Sequence, residues 1–79
     1  MQRIITAAIQ TNGRIHTGND HASIYSNYGI NQFRDTVQEG FITNDNLFVD
    51  RKTAAEIAYE SGQIKVRTYE LKSYQLKFK

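Results

Sequence analysis

Residues 40–51 read Gly40-Phe41-Ile42-Thr43-Asn44-Asp45-Asn46-Leu47-Phe48-Val49-Asp50-Arg51 and run into Lys52-Thr53-Ala54-Ala55-Glu56-Ile57-Ala58. Two short apolar, strand-like runs, Phe41-Ile42-Thr43 and Leu47-Phe48-Val49, flank Asn44-Asp45-Asn46, whose residue types tolerate the left-handed region of a turn. Asp50 then stands where a helix N-cap is wanted, its carboxylate able to accept from the free N–H groups of the first turn. Val49 just before it can staple onto Ala54. Ala54, Ile57, Ala58 and Ser61 form the i, i+3, i+4, i+7 stripe of a helix over 51–61, with Glu56 and Glu60 towards water and Gly62 as terminator. The inward face is mostly alanine, so this helix is expected to lie close on a sheet.

Upstream, Ile4-Ile5-Thr6-Ala7-Ala8-Ile9 is β-prone, and Asn12-Gly13 is the preferred pair for a type I′ hairpin turn into Arg14-Ile15-His16-Thr17. With Asn12 and Gly13 as the loop, Thr11 faces Arg14, Gln10 faces Ile15 and Ile9 faces His16. That places His16 on the face of Ile5, Ala7 and Ile9, as a half-buried ring or a ligand contact. Asn19 or Asp20 offers an N-cap for a two-turn helix over 21–28, with Ile24 and Tyr28 inward and Gly29 ending it. His21, on its first turn, is expected to be polar and exposed, with a pKa lowered by the helix N-terminus. Residues 30–39 suit a second short helix carrying Phe33 and Val37, or a loop. Downstream, Ile64-Lys65-Val66-Arg67-Thr68 alternates as a strand does. The parity slips between Tyr69/Leu71 and Tyr74/Leu76/Phe78, so a bulge near Lys72-Ser73, or a terminal helix over 68–78, is needed. The fold expected is a single α+β domain over 1–79: a small antiparallel sheet of the N-terminal hairpin plus a C-terminal strand, packed on one main helix at about 51–61, with short helices.

A chain of 79 residues supports one small core, worth roughly 3–5 kcal/mol. It has no cysteine, which removes disulfides and thiolate metal sites as staples and fits a reducing compartment. Self-association is the staple that remains, so a homo-oligomer is expected. Met1–Ile5 has no apolar core of a signal peptide, and no apolar run approaches the ~20 residues of a membrane helix. The net charge of +2 conceals an asymmetry: residues 65–79 carry Lys65, Arg67, Lys72, Lys77 and Lys79 against Glu70, leaving the rest net acidic. Such a tail is either the solvated face of an edge strand or a nucleic-acid footprint.

The residues set aside most catalytic chemistry. There is no cysteine nucleophile, no serine on a nucleophile elbow, no glycine-rich phosphate loop and no paired-histidine zinc motif. Asn44-Asp45-Asn46 lacks the glycine and twelfth-position glutamate of a calcium loop. Neither a cofactor nor a metal is expected, and the protein is read as a non-enzyme. Binding chemistry is better supplied. Phe41 and Phe48 offer rings for stacking, Arg51 a guanidinium for phosphate, and Asn44 and Thr43 polar groups for base edges, all within one segment. The same residues also suit a core and a solvated first helical turn.

In the order of these stretches the chain resembles small bacteriophage proteins with a loose GF-[VIL]-T, turn, FV-D/S-R-x-EA, A-x-x-x-G-Q pattern. The matching residues are Gly40–Thr43, Phe48–Ala54, Ile57-Ala58 and Gly62-Gln63-Ile64, preceded by Ile4–Ile9, Asn12-Gly13, Arg14–Thr17 and His21, roughly residues 3–64. Thr53 stands where the pattern has Glu. The resemblance implies a phage origin, a compact α+β fold and action in the cytoplasm of the infected host. In style it is similar to anti-defence sponges, oligomeric proteins that sequester the cyclic nucleotides or cyclic ADP-ribose of Thoeris and CBASS-type immunity. On that footing His21 and Gln63 join Phe41, Phe48 and Arg51 as ligand-binding candidates. Arg51→Ala is then expected to weaken binding in a protein that still folds. Two other readings stand beside it: an inhibitor docking on a host protein through a C-terminal edge strand, and nucleic-acid binding through the basic tail.

Overall fold

The computed structural model describes residues 2–31 and 36–76. Asn12 and Gly13 both take positive φ (52° and 77°), as a type I′ turn requires. They join β1 (Ile4–Thr11) to β2 (Arg14–Gly18) in the register expected, Ile9 facing His16 and Gln10 facing Ile15. Asp20 caps α1 (His21–Tyr28) by accepting from the Ser23 N–H at 2.7 Å, and Gly29 ends it in the left-handed region at φ 63°. The His16 ring lies 4.6 Å from that of Tyr28, half-buried as its register implied.

The decisive stretch folds as read. It forms β3 (Gln38–Thr43), a turn with Asn46 at φ 66°, β4 (Phe48–Asp50) and α2 (Arg51–Glu60). Thr43 holds the turn, its hydroxyl accepting from the Asp45 and Leu47 amides at 3.2 and 3.3 Å. Asp50 caps α2 through the Thr53 N–H at 2.8 Å. All four strands are antiparallel in the order β2-β1-β3-β4, so β1 is central and Ala7, Ala8 and Ile9 have no exposed surface. Helices cover one face of this sheet. Ile4, Ala7, Ile9 and Phe41 meet Ile24, Ala54, Ala55, Ile57 and Ala58 there in one core. The fold class is α+β.

The C-terminal strand does not form. Residues 64–72 carry no ladder; the partner of β1 is β3, and a short 3₁₀ turn (Ser73–Gln75) follows. The cause lies at the end of α2. Gly62 takes φ 82°, and the amides of Gln63 and Ile64 both donate to Ala58 O, which turns the chain back along the helix. The returning segment then meets α2 in reverse order, Arg67 with Tyr59 and Glu56, Tyr69 with Lys52, and Leu71 with Arg51. Alternation at 64–68 reflects this lie alongside a helix: Ile64 is half-buried while Val66 is 77% exposed. The segment is fastened by Leu71 and Leu76, both in the core. Residues 38–39, included in the span read as helix or loop, are strand; Phe33, Arg34 and Asp35 lie outside the described residues.

Gln63 closes the start of β1. Its side-chain amide donates to Ile4 O at 2.7 Å and accepts from Ile4 N at 2.8 Å, acting as one peptide unit of an extra strand. Gln63→Ala is therefore expected to cost about 1–3 kcal/mol, since both backbone groups of Ile4 lose their partner. Urea denaturation of the variant checks it.

Candidate functional site

Four polar side chains, His21 and Tyr25 from α1, Glu39 from β3 and Arg51 from α2, meet between these three elements. Glu39 faces the helices from β3, on the side of Ile9, because the two residues are directly paired. Its carboxylate accepts from Tyr25 OH at 2.6 Å and forms an ion pair with Arg51. Arg51 also donates to Leu71 O at 2.7 Å, while Leu71 N donates to Arg51 O at 3.0 Å, a reciprocal clasp that holds the returning segment. His21, on α1, is only 5% exposed, which corrects the exposed histidine expected from its place at a helix start. Its Nε2 lies 2.9 Å from Gly40 O, so that nitrogen carries the proton and Nδ1 presents its lone pair to an Arg51 N–H at 3.5 Å. Packing against the edge of Phe41, with centroids 5.1 Å apart, completes its surroundings.

Burial is the first cause that holds the His21 pKa below its ordinary 6.5, and Arg51 adds to it, whereas the Gly40 hydrogen bond and Glu39 oppose it. For Glu39, burial pushes upward, but the hydrogen bonds from Tyr25 and Arg51 outweigh it and leave the carboxyl below its ordinary 4.5. Burial, then Glu39, raises the Tyr25 phenol. In both depressed groups the unfolded chain takes up the proton first. Stability contributed by His21 is therefore complete above its unfolded value near 6.5 and declines as pH falls through it. A second decline, from Glu39, begins near 4.5. Thermal melts over about pH 4–8 are expected to show both steps, and His21→Gln is expected to remove the upper one.

This cluster, a structural hub, brings together His21, Arg51 and Phe41 of the sequence-read binding set, while Phe48, Asn44, Thr43 and Gln63 are placed elsewhere. Phe41 has no exposed surface. Phe48 pairs with Ile42, and Phe41 with Val49, so the two phenylalanines stand on opposite faces of the sheet and cannot hold one ring between them. Phe48 instead lies across Gly40, where a Cβ would come within 2.6 Å of its ring. Asn44 accepts from Arg3 N at 2.9 Å and donates its own amide to Arg3 O at 3.0 Å, while Thr43 holds the turn and Gln63 holds Ile4. Arg51 is engaged with Glu39 and Leu71.

A different surface offers rings and cations together. The returning segment and α2 enclose a cleft of about 410 Å³ lined by Lys52, Glu56, Arg67, Thr68 and Tyr69. The Arg67 guanidinium sits 4.5 Å over the Tyr59 ring and the Lys52 ammonium 4.8 Å over the Tyr69 ring. Arg67 also gives both Glu56 carboxylate oxygens a hydrogen bond, at 2.8 and 3.0 Å. Tyr69 is 72% exposed. The sequence reading passed over these residues because the cleft exists only once 63–71 has folded back; exposed tyrosine in a basic stretch was the one available signal. Lys77 and Lys79, which complete that basic stretch, lie outside the described residues.

Among the described residues no cluster of histidine, aspartate and glutamate side chains is set to hold a metal ion, and no helix is long and apolar enough to cross a membrane. Neither a curated protein nor a solved structure matches the chain. The sequence model of the family described as phage T4 y16D protein matches residues 3–76, nearly the whole of the chain. With its hairpin, its capped α2 and its Gly62-Gln63 return all inside that match, the chain is a small phage protein that belongs to the phage T4 y16D protein family.

Proposed function

We propose that this phage protein is a non-catalytic binder that sequesters a host signalling nucleotide, a cyclic oligonucleotide or cyclic ADP-ribose, in the cytoplasm of the infected cell. The observation that carries this reading is the cleft between α2 and 67–69, whose lining brings the Tyr69 ring together with the cations Lys52 and Arg67. A nucleotide asks for a plane to stack its base and for cations to meet its phosphates. The cleft volume of about 410 Å³ falls within the range of small-molecule sites. Such ligands are normally buried over most of their surface. A second copy closing this open cleft would supply the missing wall, so a homo-oligomer is part of the proposal. Isothermal titration against cyclic oligonucleotides and cyclic ADP-ribose isomers tests it, with the ligand recovered by heat and checked for integrity. Saturable binding of unaltered ligand is the expected result. Hydrolysed ligand would replace the reading with an enzymatic one.

A second reading, docking on a host protein, is favoured by Val66 and Tyr74, 77% and 81% exposed on the same returning segment. Tyrosine and arginine are the side chains on which such contacts concentrate their energy. The contact would be made by side chains of the returning segment and not by an edge strand there, since 64–72 forms no strand. No heat with any nucleotide, together with loss of a host partner on Val66→Asp in the folded protein, would install this reading.

A further inference from the structure

We infer that Glu56 is a built-in competitor in the cleft, a carboxylate that occupies the Arg67 guanidinium until a nucleotide phosphate displaces it, and so sets the affinity of the site. The inference rests on the sequestration reading and goes beyond it by assigning the groups. Arg67 and Glu56 are both more than half exposed, with side-chain exposures of 59% and 55%, so their ion pair is open to exchange with a second anion. Stacking on Tyr59 fixes the guanidinium plane in front of the cleft and leaves its position unchanged whichever anion it meets. Both carboxylate oxygens of Glu56 bond the same terminal nitrogen of Arg67, so the rest of the fork is not spent on them. Across the cleft, the Lys52 ammonium over Tyr69 supplies the second cation, and Tyr69 supplies the wall for a base. A ligand that carries both a planar ring and a phosphate is the kind that a ring and two cations lining one cleft can meet. A phosphate then replaces one carboxylate on Arg67, and Glu56 swings into water, where a single exposed carboxylate is well solvated.

The test is a thermodynamic cycle on the full chain, with ADP-ribose and cyclic GMP–AMP as probes. Glu56→Gln is expected to tighten binding about two- to fivefold, the worth of an exposed ion pair released. Arg67→Gln is expected to weaken it roughly tenfold, as loss of a charged hydrogen bond does, and Tyr69→Ala about fivefold or more through lost stacking. The deciding comparison is Glu56→Gln in the Arg67→Gln background, where no gain is expected. A gain that persists there, or an equal gain from Glu60→Gln on the next turn of α2, would show bulk charge repulsion and overturn the inference. Amide shifts in nitrogen-15-labelled protein locate the probe. Shifts at 52–56 and 67–69 support the assignment. Tight binding with shifts elsewhere overturns the cleft and leaves sequestration standing, whereas no binding of either probe or of any member of the titration panel overturns both.

Discussion

Arg51→Ala is expected to remove most of the stability of the protein. Removing this side chain strands Glu39, whose other oxygen is bonded to Tyr25, and deprives Leu71 O of its donor. Breaking a fully buried pair costs about 3–5 kcal/mol. The side chains here are 19% and 29% exposed, so roughly 2–4 kcal/mol is expected after allowing for water. A domain of this size holds only ~3–5 kcal/mol in all. Urea unfolding followed by circular dichroism is expected to show a shortened native baseline and a midpoint moved far towards zero denaturant for the variant. A fully folded Arg51→Ala protein with near wild-type midpoint would show that the hub contributes nothing to stability. Because the partners of Arg51 are inside the chain, its removal is expected to cost stability as well as any binding.

Gly40→Ala is expected to have the second large effect. A Cβ at that position would lie 2.2 Å from Val49 O and 2.6 Å from the Phe48 ring. The ring can move, but the carbonyl belongs to the β3–β4 ladder, so the two strands must separate. Overpacking ordinarily costs about 1–3 kcal/mol, and a backbone clash of this depth sits at or above the top of that range. The cause is open to a direct check by thermal melting of the double variant Gly40→Ala, Phe48→Ala. If Val49 O is the obstacle, trimming the ring gives no rescue; recovery of the single variant's lost stability would assign the strain to Phe48. Gly40 is thus required by a close approach of backbone, and its carbonyl simultaneously anchors His21 from the other side.

The parts of the fold that sequence made legible are those whose cause is local. Asn12-Gly13 needs nothing beyond its own dihedral preferences to place the first hairpin, and Asp50 with the alanine-rich stripe needs only the next ten residues to place α2. Where a distant partner decides, local pattern misleads. Ile64–Thr68 alternates like a strand, yet Gly62 and the pairing of Gln63 with Ile4, 59 residues away, carry it along α2 instead. His21 looked exposed because a helix start is normally wet; its burial is set by Gly40, Arg51 and Phe41, none of them near it in sequence. The candidate site shifted for the same reason. Phe41, Phe48 and Arg51 are close in sequence but separate onto two faces of the sheet and into the hub, while Lys52, Arg67 and Tyr69 come together through the fold-back.

The clasp between Arg51 and Leu71 also sets when the molecule can first become itself. On the ribosome the β1–β2 hairpin emerges early with its apolar side uncovered, since β3, α2 and the two leucines that close the core are all made later. Leu71 and Leu76 leave the exit tunnel after α2, so the core lacks both side chains until they are released. Closure of the core therefore waits for residues 71–76. Until then its central strand, made first, stands with its apolar side open to other chains.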